Sequence, residues 1–317
     1  MPGQGQCDNT VLYVVNVNGL IFLVFDKPWR KISWGNQKEE LLNAINRYTP
    51  RHGEKHLRVL VYGPVGAGKS SFINSVASAL YGRIYIDAAA NTSDSTARSF
   101  TLKYETHRIY KEEGFSDEPY PFVFNDIMGM EGGDGLGIDP EDIKLAMKGH
   151  VKEGYKFNPM SPLAKEDFHY NPNPTIDDKV HVLVLMLSAN CPEIEPSVID
   201  KMKQVRETAR DLGIPQIAIG THVDKACPEI KKDVKNIYQS KSLKTNMEEF
   251  SKAVGIPVNC IMGVKNYSEE TDNDDDKDTL LLIALKHMVT YGQDFVRKQA
   301  HKTGSLEGAM STLEVKE

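Results

Sequence analysis

Gly63-Pro64-Val65-Gly66-Ala67-Gly68-Lys69-Ser70 matches the phosphate-loop pattern G-x-x-x-x-G-K-[ST] at every fixed position. The run before it, Arg58-Val59-Leu60-Val61-Tyr62, is rich in strand formers. The run after it, Ser71-Phe72-Ile73-Asn74-Ser75-Val76-Ala77, repeats apolar residues at helical spacing. Strand, glycine loop and helix in that order are the context the pattern requires. Gly63, Gly66 and Gly68 let the backbone aim consecutive N–H groups at phosphate oxygens, those of Val65, Ala67 and Ser71 included, with the positive end of the helix behind them. Lys69 is expected to reach the β- and γ-phosphates, and the Ser70 hydroxyl a magnesium ion.

Strand-like and helix-like stretches alternate from Arg58 onward. The expectation is an α/β P-loop NTPase, a three-layer α/β/α G domain with a mostly parallel sheet, over residues 51 to 300. Further strands are predicted at 102–110, 122–126, 180–188, 216–221 and 258–264. Helices are predicted at 70–80, 140–151, 197–212 and 279–300, with one or two more between Asp233 and Val254. Residues 1 to 50 read as a small attachment: a hairpin from Val11 to Phe25 around Asn18-Gly19, then a helix near Lys38 to Tyr48 that ends before Pro50. It is too short for a core of its own, so it packs on the main domain or pairs with another chain. Four prolines make 154–179 a long irregular loop, the acidic run Glu269 to Asp278 reads as a solvated loop, and 301–317 as a flexible tail.

Composition narrows the partners. A chain of 317 residues with 40% hydrophobic content holds a substantial core. A formal charge of -6 and no lysine-arginine cluster give no footprint for nucleic acid. Cys7, Cys191, Cys227 and Cys260 lack metal-ligand or C-x-x-C spacing, which suits a reducing compartment, so a cytoplasmic location is expected. The Val11 to Phe25 stretch is interrupted and too short to cross a membrane, and neither end carries a lipidation signal, so no membrane anchor is expected.

Three later motifs refine the nucleotide. Asp126-Ile127-Met128-Gly129 follows an apolar strand: Asp126 is placed to hold magnesium through water, and the Gly129 N–H to meet the γ-phosphate. The plainer reading is an aspartate capping a turn. Thr221-His222-Val223-Asp224 ends another apolar strand. Guanine offers adjacent N1–H and N2–H donors that a carboxylate accepts together, and adenine has no such pair, so Asp224 is the expected guanine reader. His222 stands where GTPases usually carry lysine in [NT]-K-x-D, and an imidazole lacks the long stem and fixed charge of lysine. Here the plainer reading is a turn. A switch threonine that caps magnesium is expected at Thr101, with Thr96 second. Lys265-Asn266-Tyr267-Ser268 fills the place of the last base-side loop, with Asn266 the expected contact beside Thr221 and His222.

With these residues in view, the chain resembles the interferon-induced protein 44 and 44-like family. The resemblance rests on Gly63 to Phe72, on Phe157-Asn158-Pro159-Met160, on Thr221-His222-Val223-Asp224 and on Asn266-Tyr267-Ser268, and spans about residues 58 to 300. The Thr-His-Val-Asp form, odd among GTPases at large, is ordinary in that family. The resemblance implies GTP or GDP binding with Mg2+, a cytoplasmic location and an interferon-induced role in innate, antiviral immunity. It does not cover the longer N-terminal region, described as a TLDc domain, that family members often carry. Phe157 to Met160 has no phosphate chemistry and is expected to pack the long loop onto the domain.

Met130 occupies the position after D-x-x-G at which Ras-like GTPases place a water-orienting glutamine. A thioether orients water poorly, so slow intrinsic hydrolysis is expected unless another chain or the 131–137 segment supplies the group. The leading expectation is a guanine-nucleotide-binding switch or assembly protein, with self-association or a protein partner of unspecified kind. The alternatives are a non-hydrolysing scaffold with weak or no nucleotide binding, and an ATP-dependent enzyme, which Asp224 disfavours.

Overall fold

The computed structural model describes residues 11–15, 21–87, 102–111, 118–133, 135–190 and 194–314. The elements in chain order are β1 (Val11–Val15), β2 (Ile21–Phe25), α1 (Gln37–Asn46), β3 (Leu57–Tyr62), α2 (Lys69–Tyr81), β4 (Glu105–Tyr110) and β5 (Pro119–Asp126). There follow α3 (Pro140–Met147), β6 (Val182–Ser188), α4 (Pro196–Asp211), β7 (Gln216–Thr221), α5 (Val223–Ala226), α6 (Pro228–Lys232), α7 (Lys241–Val254), β8 (Ile261–Gly263) and α8 (Asp275–Glu314).

Six strands form one sheet in the order β4-β5-β3-β6-β7-β8, parallel except for β4, which runs antiparallel to β5. The central strands are covered on both faces, which explains their continuous apolar runs: Val59 to Tyr62 and Val182 to Met186 are all buried. Helix α8 packs on both α1 and α2, and α4 on both α3 and α7, and the two groups flank the sheet. Gly292 brings α8 close, since a Cβ there would stand 3.0 Å from Val182 Cγ2 and 3.1 Å from Leu57 Cδ1. Strand β3 lies between β5 and β6, and the chain crosses over it in passing from β5 to β6, so the crevice at the carboxyl end of β3 is a topological switch point, the usual ligand position in such sheets.

The hairpin docks on the main domain. Phe25 N–H donates to Gln239 O at 2.9 Å and Trp29 N–H to Tyr238 O at 2.9 Å. The Trp29 ring meets Tyr238 edge-on at 4.9 Å, and Arg30 donates to Ile261 O at 2.7 Å and Val258 O at 2.9 Å.

Four expectations change. Residues 301–314, read as a tail, continue α8: no proline stops it, and adding residues to a formed helix is cheap. The last four residues of the acidic run open the same helix, because Asp275, Asp276 and Asp278 suit its positive first turn. Helix α3 ends at Met147 rather than Val151, where Gly149 turns the chain at φ +82°. The strand read over 258–264 is a 3-10 turn, Val258–Cys260, followed by a short β8. The long loop lays residues 154–157 along 102–104, with Phe157 N–H donating to Leu102 O at 3.0 Å. Phe157 is buried as expected, and Met160 is not, at 80% exposed.

Candidate nucleotide site

The loop between β3 and α2 sits at that crevice. Gly63 has φ +146°, and a Cβ there would lie 2.1 Å from Met186 O on β6, so only glycine lets the loop leave the sheet. Gly66 (φ +75°) and Gly68 (φ +79°) complete the turn, and no side chain caps α2, whose first N–H groups face the loop. Two amides expected on phosphate are engaged elsewhere. Val65 N–H donates to Met130 O at 3.2 Å and Ala67 N–H to Pro64 O at 3.3 Å, because the turn closes on itself and on the segment after β5. The Ser71 carbonyl accepts from Ser75 Oγ one helical turn on.

Lys69 is buried, and its Nζ donates to Gly63 O at 3.3 Å and Pro64 O at 3.1 Å. Burial lowers its pKa, and the Asp126 carboxylate pulls the other way. Asp126 ends β5 at 1% exposed, accepting from Ser70 Oγ at 2.5 Å and from Ile127 N at 3.0 Å. The two residues expected on magnesium are therefore together. Gly129 lies against Val65, where a Cβ would fall 2.5 Å from Val65 Cγ2. The neighbouring Met130 zips the two segments, its N–H donating to Gly63 O at 2.9 Å, and its side chain is core, 1% exposed. Thr101 and Thr96 lie outside the described residues.

On the base side, Thr221 is a hub: its Oγ1 donates to Ala67 O at 2.8 Å, with Leu187 O at 3.1 Å and His222 Nδ1 at 3.0 Å. It holds the strand end to the loop. His222 takes the left-handed conformation (φ 53°), which histidine tolerates better than most residues, and turns the chain into α5. Burial, then Lys225, lowers its pKa against the pull of Asp224, so the imidazole is neutral near pH 7. Asp224 keeps an accessible carboxylate, 3.8 Å from Lys265 Nζ. Asn266, expected on guanine, has its Nδ2 committed to Gly68 O at 3.0 Å because the last loop backs the phosphate loop.

Two lysines stand here to which the sequence patterns assign no role. Lys265 was visible in the base-side loop, without a signal for its pairing with Asp224. Lys201 on α4 donates to the carbonyls of Glu131 (2.9 Å), Gly133 (3.0 Å) and Leu136 (3.0 Å), clamping the glycine-rich segment, and no sequence signal marks it.

Sheet and loop together define an α/β protein with a phosphate-loop motif at the carboxyl end of its central strand. The chain is a homologue of the interferon-induced protein 44 and 44-like proteins over most of its length. It is 31% identical to human interferon-induced protein 44-like over 284 residues, 89% of this chain and 62% of that one. It is 32% identical to mouse interferon-induced protein 44 over 259 residues, 81% of this chain and 60% of that one. The chain thus spans about three fifths of the length of these curated relatives. No family model matches it. Among solved structures it is similar to Toc33 from Arabidopsis thaliana, as a dimerization-deficient mutant (TM-score 0.47, 12% identity, 82% of this chain and 91% of that one). A second Toc33 structure, in complex with GDP and Mg2+, gives a TM-score of 0.45 at 11% identity, with the same 82% and 91% coverage.

Proposed function

We propose that this chain is a cytoplasmic guanine-nucleotide-binding protein of the interferon-induced innate and antiviral response, magnesium-dependent and slow in intrinsic hydrolysis. One observation carries the binding: Ser70 and Asp126 meet at 2.5 Å beside the buried Lys69, at the mouth of a glycine loop. The relatives named above support the immune setting.

The donor set fits magnesium. A hydroxyl and a buried carboxylate are hard oxygen donors, and among the described residues no group of three His, Cys, Asp or Glu side chains makes a metal site alone. One or two protein oxygens completed by nucleotide phosphates is how this ion is usually held. Ser70 would bind it directly and Asp126 through water, and it would neutralise phosphate charge. Lys69, released from the loop carbonyls, takes the β- and γ-phosphates, and Gly129, which lies against Val65 of the loop, is assigned to the γ-phosphate. Asp224 accepts N1–H and N2–H of the base. Slow hydrolysis follows from Met130, whose side chain is locked in the core, so no water-orienting group is presented at that position.

The second reading is a non-hydrolysing interaction protein that holds nucleotide weakly, favoured by the neutral, left-handed His222 in the lysine position. Titration of labelled GTP, GDP and ATP with magnesium separates the readings. Guanine-selective binding lost in Lys69→Ala and Asp224→Ala supports the first, absence of binding supports the second, and preference for ATP overturns both. Fast single-turnover hydrolysis by the isolated monomer would contradict the role given to Met130.

A further inference from the structure

We propose that Lys265 reads the O6 atom of guanine, supplying from the last loop the base-side cation that His222 cannot; this rests on the guanine reading of Asp224. The Watson–Crick edge of guanine sets an acceptor, O6, directly beside the N1–H and N2–H donors. A carboxylate that covers the two donors leaves O6 in need of a donor next to it. The Lys265 ammonium stands 3.8 Å from Asp224 Oδ2, near enough for the two groups to face adjacent atoms of one base edge.

The position is built. Val264 N–H donates to Gly220 O at 2.9 Å on one side of Lys265, and Asn266 Nδ2 holds Gly68 O at 3.0 Å on the other. Tyr267 N–H then donates to Ser75 Oγ of α2 at 2.9 Å, and Tyr267 O–H to Asp278 Oδ1 at 2.7 Å. The backbone that carries Lys265 is thus tied to the phosphate loop and to the helix behind it. Glu270 lies 3.7 Å from Lys265 Nζ and is itself held by Lys277 at 2.7 Å, so it tethers the ammonium without needing it. Burial pushes the Glu270 carboxyl up, while Lys277 and nearby amides outweigh it and bring it to about 2, so the tether stays ionised.

His222 makes no competing claim. Its imidazole is neutral and bonded back to Thr221. The arrangement also rejects adenine twice, because the adenine amino group would face the ammonium and Asp224 would find no N1–H.

The test pairs a residue change with an atom change. GTP and 6-thio-GTP, which carries a weakly accepting sulfur in place of O6, are titrated with magnesium against wild type, Lys265→Met and Lys265→Arg, with thermal melts checking the fold. The expected result is a loss of about 10- to 100-fold in GTP affinity for Lys265→Met, a preference for GTP over 6-thio-GTP that disappears in that variant, and partial retention in Lys265→Arg. Unchanged GTP binding by Lys265→Met, or equal losses for both nucleotides, overturns the O6 assignment alone. A wild type that binds no guanine nucleotide overturns the guanine reading, and this inference falls with it.

Discussion

The two ends of β3 both carry partly or fully buried polar side chains, and they treat them in opposite ways. At the amino end the groups around Arg58 satisfy one another, although the buried His181 Nε2 has no hydrogen-bond partner among the described residues. Arg58 Nε donates to Asp177 O at 2.9 Å, its guanidinium to Asn125 Oδ1 at 2.8 Å, and its backbone N–H to His181 Nδ1 at 2.8 Å. Asn125 passes a bond on to Thr106 Oγ1 at 2.8 Å. At the carboxyl end the buried Lys69 has two neutral loop carbonyls at 3.3 and 3.1 Å, and Ser70 and Asp126 hold each other. An ammonium in that state gains when phosphate replaces carbonyl; Arg58 has nothing to gain. Buried polarity does not mark a site by itself, and the quality of its partners does.

The largest effect expected is on the backbone that opens the carboxyl end. Gly63→Ala places a Cβ 2.1 Å from Met186 O in the middle of the sheet and should cost about 4 kcal/mol or more by chemical denaturation. Gly66→Ala meets nothing within 4 Å and should cost only the left-handed conformation, about 1 to 2 kcal/mol. Equal losses would show that the loop leaves the sheet by another path.

Next, the two ends can be exchanged as readouts. Lys69→Ala should lower GTP affinity by about 100-fold, two charge-assisted bonds, and leave stability nearly unchanged because a desolvated ammonium is removed with its weak partners. Arg58→Ala should destabilise by about 3 kcal/mol and leave the affinity of the folded protein untouched. Paired titrations and urea curves decide it. A loss of affinity in the Arg58 variant would mean that the two ends are coupled through β3.

That contrast also explains what the sequence could show. The phosphate loop, Asp126 and the Thr221 to Asp224 turn were legible because each is a short motif fixed to a strand end, and sheet topology brings strand ends together. The strands read over 122–126 and 180–188 declared themselves as buried by mostly apolar runs. The pairings of Lys201 and Lys265 were not legible: Lys201 acts across 65 to 70 positions, and Lys265 meets Asp224 through a loop whose turn must first be known, so neither pairing belongs to a local pattern. The Arg58 cluster was invisible for the same reason, since His181 and Asn125 are neighbours only once the parallel pairing exists. Residues 301–314 were misread because a polar helix extending a formed one resembles a tail in composition.

The amino end also predicts a pH response. Burial, then Arg58, lowers the pKa of His181 to about 4, and that of His56 likewise to about 4. As pH falls, the unfolded chain takes up these protons first, near the ordinary value of 6.5, so stability is present above that pH and lost between 6.5 and 4. Asp142 acts in the opposite sense, since burial raises its carboxyl to about 6 and folding then favours its protonated form. Comparison with His181→Asn, which keeps an acceptor for Arg58 N–H and cannot titrate there, cancels the Asp142 and His56 contributions. Wild type should lose about 2 kcal/mol more than the variant between pH 7 and 4.5. Parallel pH profiles would show that His181 is protonated in the fold and that the amino end is less closed than its bonds imply.

The smallest effect is expected back at the carboxyl end, where Lys201 holds the segment after Gly129 by three carbonyls. Positive φ at Gly133, Gly135 and Gly137 bends that segment into a compact loop, and Met130 N–H to Gly63 O and Ile138 N–H to Gly129 O tie down its base. Lys201→Met removes the clamp and leaves those ties. Hydrogen exchange over the described residues of 131–137 should therefore speed up by about 10-fold, the worth of one net hydrogen bond, with global stability and the Arg58 cluster unaffected. GTP affinity should fall less than in Lys69→Ala, because Gly129 stays fixed against Val65. Exchange that does not change would mean that the loop is held by its own turns, and that Lys201 follows the loop instead of setting it.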